Sequence, residues 1–101
     1  MRRSREEIAL GILRSCSLGG VPVGKLMRLE NLSHNLLMKY LSRLSLSRLV
    51  EDKEVGRRKF IWTTPEGVEA LRICENAIAV LNGRNPIQNL APDMNRKIGN
   101  R

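Results

Sequence analysis

The stretch NLSHNLLMKYLSRLSLSR, residues 31–48, decides the fold of this chain. Read as a helix, it sets Leu37, Tyr40, Leu41 and Leu44 at the i, i+3, i+4, i+7 spacing of one apolar stripe. With a turn of about 100° per residue, Asn35, Lys39 and Ser42 fall on the opposite side, flanked by Met38 and Arg43. Ser33 stands at the N-cap position, where its hydroxyl can accept from an orphan amide of the first turn. A helix of this kind is anchored along one face and offers amide, ammonium, hydroxyl and guanidinium groups along the other. Those groups match base edges and phosphates in a DNA major groove, so residues 31–48 read as a recognition helix.

Working outward, residues 23–30 form a short helix with Leu26 and Leu29 inward and Lys25 and Arg28 outside. Asn31-Leu32-Ser33 is a tight turn, and two helices joined so closely make a helix-turn-helix. An earlier helix opens with Ser4-Arg-Glu-Glu7, a capping box in which Ser4 and Glu7 satisfy each other's terminal amides. Its inward stripe is Ile8, Ile12 and Cys16, with Ala9 and Leu13 beside it and Leu10 directed the other way. Gly19-Gly20 and Pro22 end that helix and turn the chain.

Downstream, Leu46 lies outward and the third helix closes near residues 45–47. The period then changes. LVEDKEV and RKFIW flank Gly56-Arg57 as two strands of a hairpin whose tip carries Arg57, Arg58 and Lys59. Phe60 and Trp62 are expected in the core rather than as a stacking platform, and three aromatics in the chain argue against single-stranded nucleic-acid binding. Thr63-Thr64-Pro65-Glu66 starts a last helix, which reaches about residue 82 and stops at Gly83. Its apolar positions cover about half the circumference, beyond the ~100° stripe that one core needs. A second copy of the chain is expected to cover Ile73, Ala77, Val80 and Leu81, with Leu10 joining the seam. Residues 84–101 show no period and are expected to form a loose basic tail. The resulting division is a DNA-binding domain at 1–64, a dimerisation helix at 65–83 and a tail at 84–101.

The totals bound the function. A chain of 101 residues holds one core, and its net charge of +8 makes an acidic partner the first to consider. The apolar run at residues 77–81 is far below the ~18–20 residues that a bilayer span requires, so no membrane partner is expected and the cytoplasm is the expected compartment. Cys16 and Cys74, with one histidine, fit neither zinc spacing nor a Cys-x-x-Cys motif and are expected to be buried free thiols. No nucleophile-base-acid set and no glycine-rich phosphate loop appear, so neither an enzyme nor a cofactor is expected.

The sequence resembles the small archaeal winged helix-turn-helix DNA-binding proteins that dimerise through a C-terminal helix. SREEIALGIL, KLMRLENLSHNLLMKYLSRL and LVEDKEVGRRKFIWTTPEGVEAL carry that similarity, which covers roughly residues 4–81. The resemblance implies a mainly α (α+β) fold with three helices, a two-stranded wing and a C-terminal dimerisation helix. It also implies double-stranded DNA as partner and a homodimer as the working form. Related chains commonly carry Gly where Arg48 stands, so Arg48 must adopt left-handed backbone or the helix must end differently. The last helix is also shorter than the long coiled-coil arms of some relatives.

The candidate DNA contacts are Lys25, Arg28, Ser33, His34, Asn35, Met38, Lys39, Ser42, Arg43, Arg57, Arg58 and Lys59. For each there is a plain alternative: the polar helix face can be merely solvated, and Glu51, Asp52 and Glu54 can pair with the wing bases. Arg2, Arg3 and Arg5 form a short candidate arm. Sequence-dependent or architectural duplex binding by a transcriptional regulator is the leading functional expectation. A winged-helix protein-interaction module in a larger assembly is the alternative, and a repressor switched through Cys74 is a third.

Overall fold

The computed structural model describes residues 3–83, in the order α1 (Arg5–Ser15), β1 (Val21–Pro22), α2 (Val23–Glu30), α3 (His34–Leu46), β2 (Val50–Val55), β3 (Arg58–Thr63) and α4 (Pro65–Leu81). The strands form one antiparallel sheet in the order β1-β3-β2. This is a mainly α winged helix-turn-helix with one strand more than the expected hairpin. In β1, Val21 pairs with Ile61 and Pro22 with Phe60. A strand of two residues has no period to read, and Pro22, lacking an N–H, suits a sheet edge. The chain divides into two compact units, one ending at Leu71 and one beginning at Arg72.

In the first unit, α1 starts as its sequence requires. The Glu7 amide donates to Ser4 Oγ at 3.1 Å and the Ser4 amide donates to Glu7 Oε1 at 2.8 Å. These bonds hold the Glu7 carboxyl below its ordinary pKa. The buried arc of α1 is wider than one stripe. Ile12 and Cys16 are fully buried, and Leu10, expected to point outward, is 7% exposed and part of the core. α2 packs on α1, and Thr63 closes on its C-terminal end, donating its amide to the Cys16 carbonyl and its hydroxyl to that of Leu13. Burial, followed by the nearby Glu30 charge, pushes the Cys16 thiol up to about 12. Cys16 therefore stays protonated and inert, whereas Cys74, expected to be buried, is exposed on α4.

On α2, Leu26 is fully buried, but Leu29, expected inward, is 54% exposed. Glu30 occupies the buried position instead. A carboxylate is tolerable there only with partners, and it has them. Arg3 donates to Glu30 Oε1 at 2.9 Å and also to the Glu30 carbonyl, while the Ser15 hydroxyl donates to Oε2 at 2.5 Å. Gly11 makes the room, since a Cβ there would collide with that carboxylate. Asn31 ends the helix in left-handed backbone at φ 56.

α3 begins at Ser33, whose hydroxyl accepts from the Leu36 amide at 3.2 Å. It buries Leu37, Tyr40, Leu41 and Leu44, the expected stripe, and leaves Leu46 85% exposed. Arg48 follows at φ 64, the left-handed conformation that its position demands. The junction is secured by Thr64, which donates its hydroxyl to the Arg48 carbonyl at 2.7 Å and accepts from the Gly67 amide at 3.0 Å as the cap of α4. The Thr64 amide also donates to the Leu49 carbonyl at 3.0 Å.

The hairpin turns at Gly56-Arg57 with Gly56 at φ 65, the first-position glycine of a two-residue turn. Val50 and Ile61 face the core, at 4% and 2% exposure. Phe60 and Trp62, expected in the core, do not join it. Strand residues alternate between faces, so once Ile61 points inward both of its neighbours must point outward.

The second unit contains the remainder of α4, which Gly83 stops at φ 87. There Ile73 is 53% exposed and Leu81 84%, with Ala77, Ile78 and Val80 also exposed. The expected tail at 84–101 lies outside the described residues.

Candidate nucleic-acid interface

Four residues of α3 are turned to the core, and that fixes what the other side presents. Asn35, Lys39, Ser42 and Arg43 are all exposed, as is His34 in the first turn. Met38 differs from the expectation of a free surface residue. It is half-buried, packed against the core, and lines a groove of about 220 Å³ between α3 and the wing. Ser42 and Ser45 stand on the helix side of that groove, with Asp52, Lys59 and Ile61 on the strand side. The Arg43 guanidinium lies 6.0 Å from the centre of the Tyr40 ring, a contact that holds it against its own helix.

Ser33 is exposed, and with its oxygen accepting at the cap its hydroxyl proton remains free to donate to an outside acceptor such as a phosphate oxygen. Lys25 and Arg28 are both exposed on α2. Among the described residues, no carboxylate forms an ion pair with Lys25, Arg28, Lys39, Arg43 or Arg57. Cations without internal partners are the ones able to release counterions on meeting a phosphate chain.

The wing trio does not act as one cluster. Only Arg57 sits in the turn; Arg58 and Lys59 open β3 and point to opposite faces of the sheet. Lys59 faces the α3 side and is held 3.4 Å from Asp52 Oδ2. Both partners are about half exposed, so the pair contributes little and opens readily for a stronger anion. Arg58 lies on the other face, 5.6 Å over the Phe60 ring. Of the expected arm, Arg3 is engaged with Glu30, and Arg2 lies outside the described residues.

Two features escaped the sequence reading. Leucine outranks glutamate as a core candidate at residues 29 and 30, so only the tertiary placement of Arg3 and Ser15 reveals the buried carboxylate. The outward rings had a signal: Phe60-Ile61-Trp62 is continuous, and three successive apolar residues in a strand must serve two faces. Among the described residues no group of His, Cys, Asp and Glu is placed to hold a metal, and no helix is long and apolar enough to cross a membrane.

Comparison with known proteins agrees with this geometry. The sequence model of a family described as winged helix-turn-helix matches residues 2–82. No curated protein matches the chain by sequence. Among solved structures, the fold is similar to Sso10a-2, a DNA-binding protein from Sulfolobus solfataricus, with a TM-score of 0.72 at 20% identity over 91% of this chain and 96% of that one. It is also similar to MepR of S. aureus in its DNA complex, with a TM-score of 0.65 at 15% identity over 94% and 80% of the two chains. A third similar structure is the homodimeric winged helix-turn-helix DNA-binding domain Mb0332 from Mycobacterium bovis, with a TM-score of 0.62 at 20% identity over 86% and 74%.

Proposed function

Because the chain belongs to the winged helix-turn-helix family, matched over residues 2–82, we propose that it binds double-stranded DNA as a homodimer and acts as a transcriptional regulator. The observation that carries this reading is the outward face of α3, where Asn35, Lys39, Ser42 and Arg43 are exposed opposite four buried residues. In the proposed complex Asn35 reads base edges, Ser42 and Arg43 contact bases and the backbone beside them, and Lys39 meets phosphate. His34 and Ser33 face phosphate at the helix N-terminus, and Lys25 and Arg28 grip backbone. Arg57, and Lys59 once released from Asp52, follow the adjacent strand. The similar structures described as DNA-binding support the choice of duplex.

The salt dependence of binding tests this directly. If some six phosphates are neutralised per dimer, log K for a labelled duplex falls with log salt at a slope of about −5. Binding that ignores salt, or none at low salt, rules the reading out.

In the proposed dimer, residues 65–83 are the pairing element and residues 1–64 the DNA-contacting one. The exposed apolar side chains of Ile73, Ala77, Val80 and Leu81 form the seam. Leu10 has little surface left for a second chain, being 7% exposed within its own protomer. Sedimentation is expected to give a dimer for the wild type and a monomer for Ile73→Glu, since a carboxylate in an apolar seam lacks a partner. A wild type that sediments as a monomer removes the paired-site geometry of two recognition helices in successive major grooves. The function is non-enzymatic, and the working compartment is the cytoplasm, on chromosomal DNA.

A further inference from the structure

The chain has three aromatic residues, and two of them lie on the sheet face turned away from the core and from α3. Arg58, Phe60 and Trp62 alternate along that face of β3, and the register sets Lys53 opposite Phe60 and Glu51 opposite Trp62. The ring centroids are 6.0 Å apart and the planes tilted by 41°. Arg58 stands 5.6 Å over Phe60, and Lys53 stands 5.9 Å over Trp62. Both rings are half-buried, yet neither belongs to the core cluster. Trp62 rests on Gly20, where a Cβ would collide with the indole.

Strand alternation with Ile61 inward sends both rings to this face. An exposed cation over a ring returns less than full burial of the same ring would. Among the described residues, neither Lys53 nor Arg58 forms an ion pair. Rings two residues apart on the central strand, with cations lacking an ion pair over them, are what successive unstacked bases and their phosphates fit. We propose that this face binds single-stranded nucleic acid, with unpaired bases stacking on Trp62 and Phe60. Lys53 and Arg58 then turn from the rings to the phosphates. Glu51, the acid on the face, accepts from a base amino group or a sugar hydroxyl. Phe60, Trp62, Lys53 and Arg58 do not line the groove between α3 and the wing, which Glu51 borders.

Trp62 is the only tryptophan, so its emission reports directly on the site. The full chain is titrated with short oligo(dT) and short oligo(U), following both Trp62 emission and the anisotropy of a labelled oligonucleotide. Saturable quenching by either strand is expected, and which of the two binds more tightly assigns the sugar. Lys53→Glu and Phe60→Leu are each expected to weaken single-strand binding roughly tenfold or more while duplex affinity holds. Lys39→Ala is expected to do the reverse, so failure of one site leaves the other measurable. Lys53 is exposed, and its replacement keeps the fold even if the Phe60 variant loses it. Unchanged Trp62 emission with both oligonucleotides overturns the proposal. So does wild-type single-strand affinity in Lys53→Glu, or full competition by duplex.

Discussion

Asn35→Ala is expected to lower affinity for a selected duplex by roughly 5- to 150-fold, the equivalent of about 1–3 kcal/mol for a side chain reading a base edge. Affinity for random duplex should hardly change. Lys39→Ala is expected to behave differently, weakening both duplexes alike and reducing the magnitude of the salt slope by about 1 per protomer. The contrast follows from chemistry: an amide can match a donor-acceptor pattern, whereas an ammonium group on a flexible stem meets phosphate as a point charge. Both side chains are exposed on α3, so neither truncation opens a cavity, and the unfolding midpoint should stay within experimental error of the wild type. Selection of bound duplexes from a random pool supplies the target, and fluorescence anisotropy at several salt concentrations makes the comparison. If both variants bind as tightly as the wild type, α3 is not the recognition helix.

Gly67→Ala is expected to destabilise the protein by about 3 kcal/mol or more, the upper range for forcing an extra atom into a packed site. A Cβ at Gly67 would collide with the Leu49 carbonyl oxygen and press on the Thr63 side chain. The first obstacle is backbone, which cannot rotate away as a side-chain end can. The same few atoms bind the Thr64 amide to Leu49 and the Thr64 hydroxyl to Arg48, so displacement loosens the cap of α4 and the start of the wing together. Gly24→Ala is the matched control with opposite sign. Gly24 lies within α2 with nothing near its Cβ position, and alanine there should stabilise by about 0.5–1 kcal/mol. Thermal unfolding distinguishes them, at ~4–8 °C per kcal/mol for a domain of this size. Equal midpoints for the two variants contradict the packing described for Gly67.

Much of this protein is legible without coordinates because its signals are local. Ser4 with Glu7, Ser33, and Thr64 before Pro65 each mark a helix start within one turn of chain, and each makes the expected side-chain bond. The stripe of Leu37, Tyr40, Leu41 and Leu44 names the buried face of α3, and its complement Asn35, Lys39 and Ser42 is exposed in consequence. Gly56 announces a tight hairpin, and the left-handed backbone at Arg48 follows from where helix must become strand.

Burial of the remaining positions depended on partners distant in the chain. Leu10 joins the core cluster although the stripe of α1 points it outward, which no single-helix pattern records. Glu30 displaces Leu29 inward only because Arg3 and Ser15 arrive to satisfy its carboxylate. Register, not composition, sends Lys59 to one face of the wing and Arg58, Phe60 and Trp62 to the other, dividing what looked like one basic tip. Periodicity thus determined which elements form and which way α3 faces, since both depend on neighbours within a few residues. Tertiary contact alone decided which charges are spent internally and which stay free for a ligand, because an ion pair or a sheet register is set by groups brought together from far along the chain.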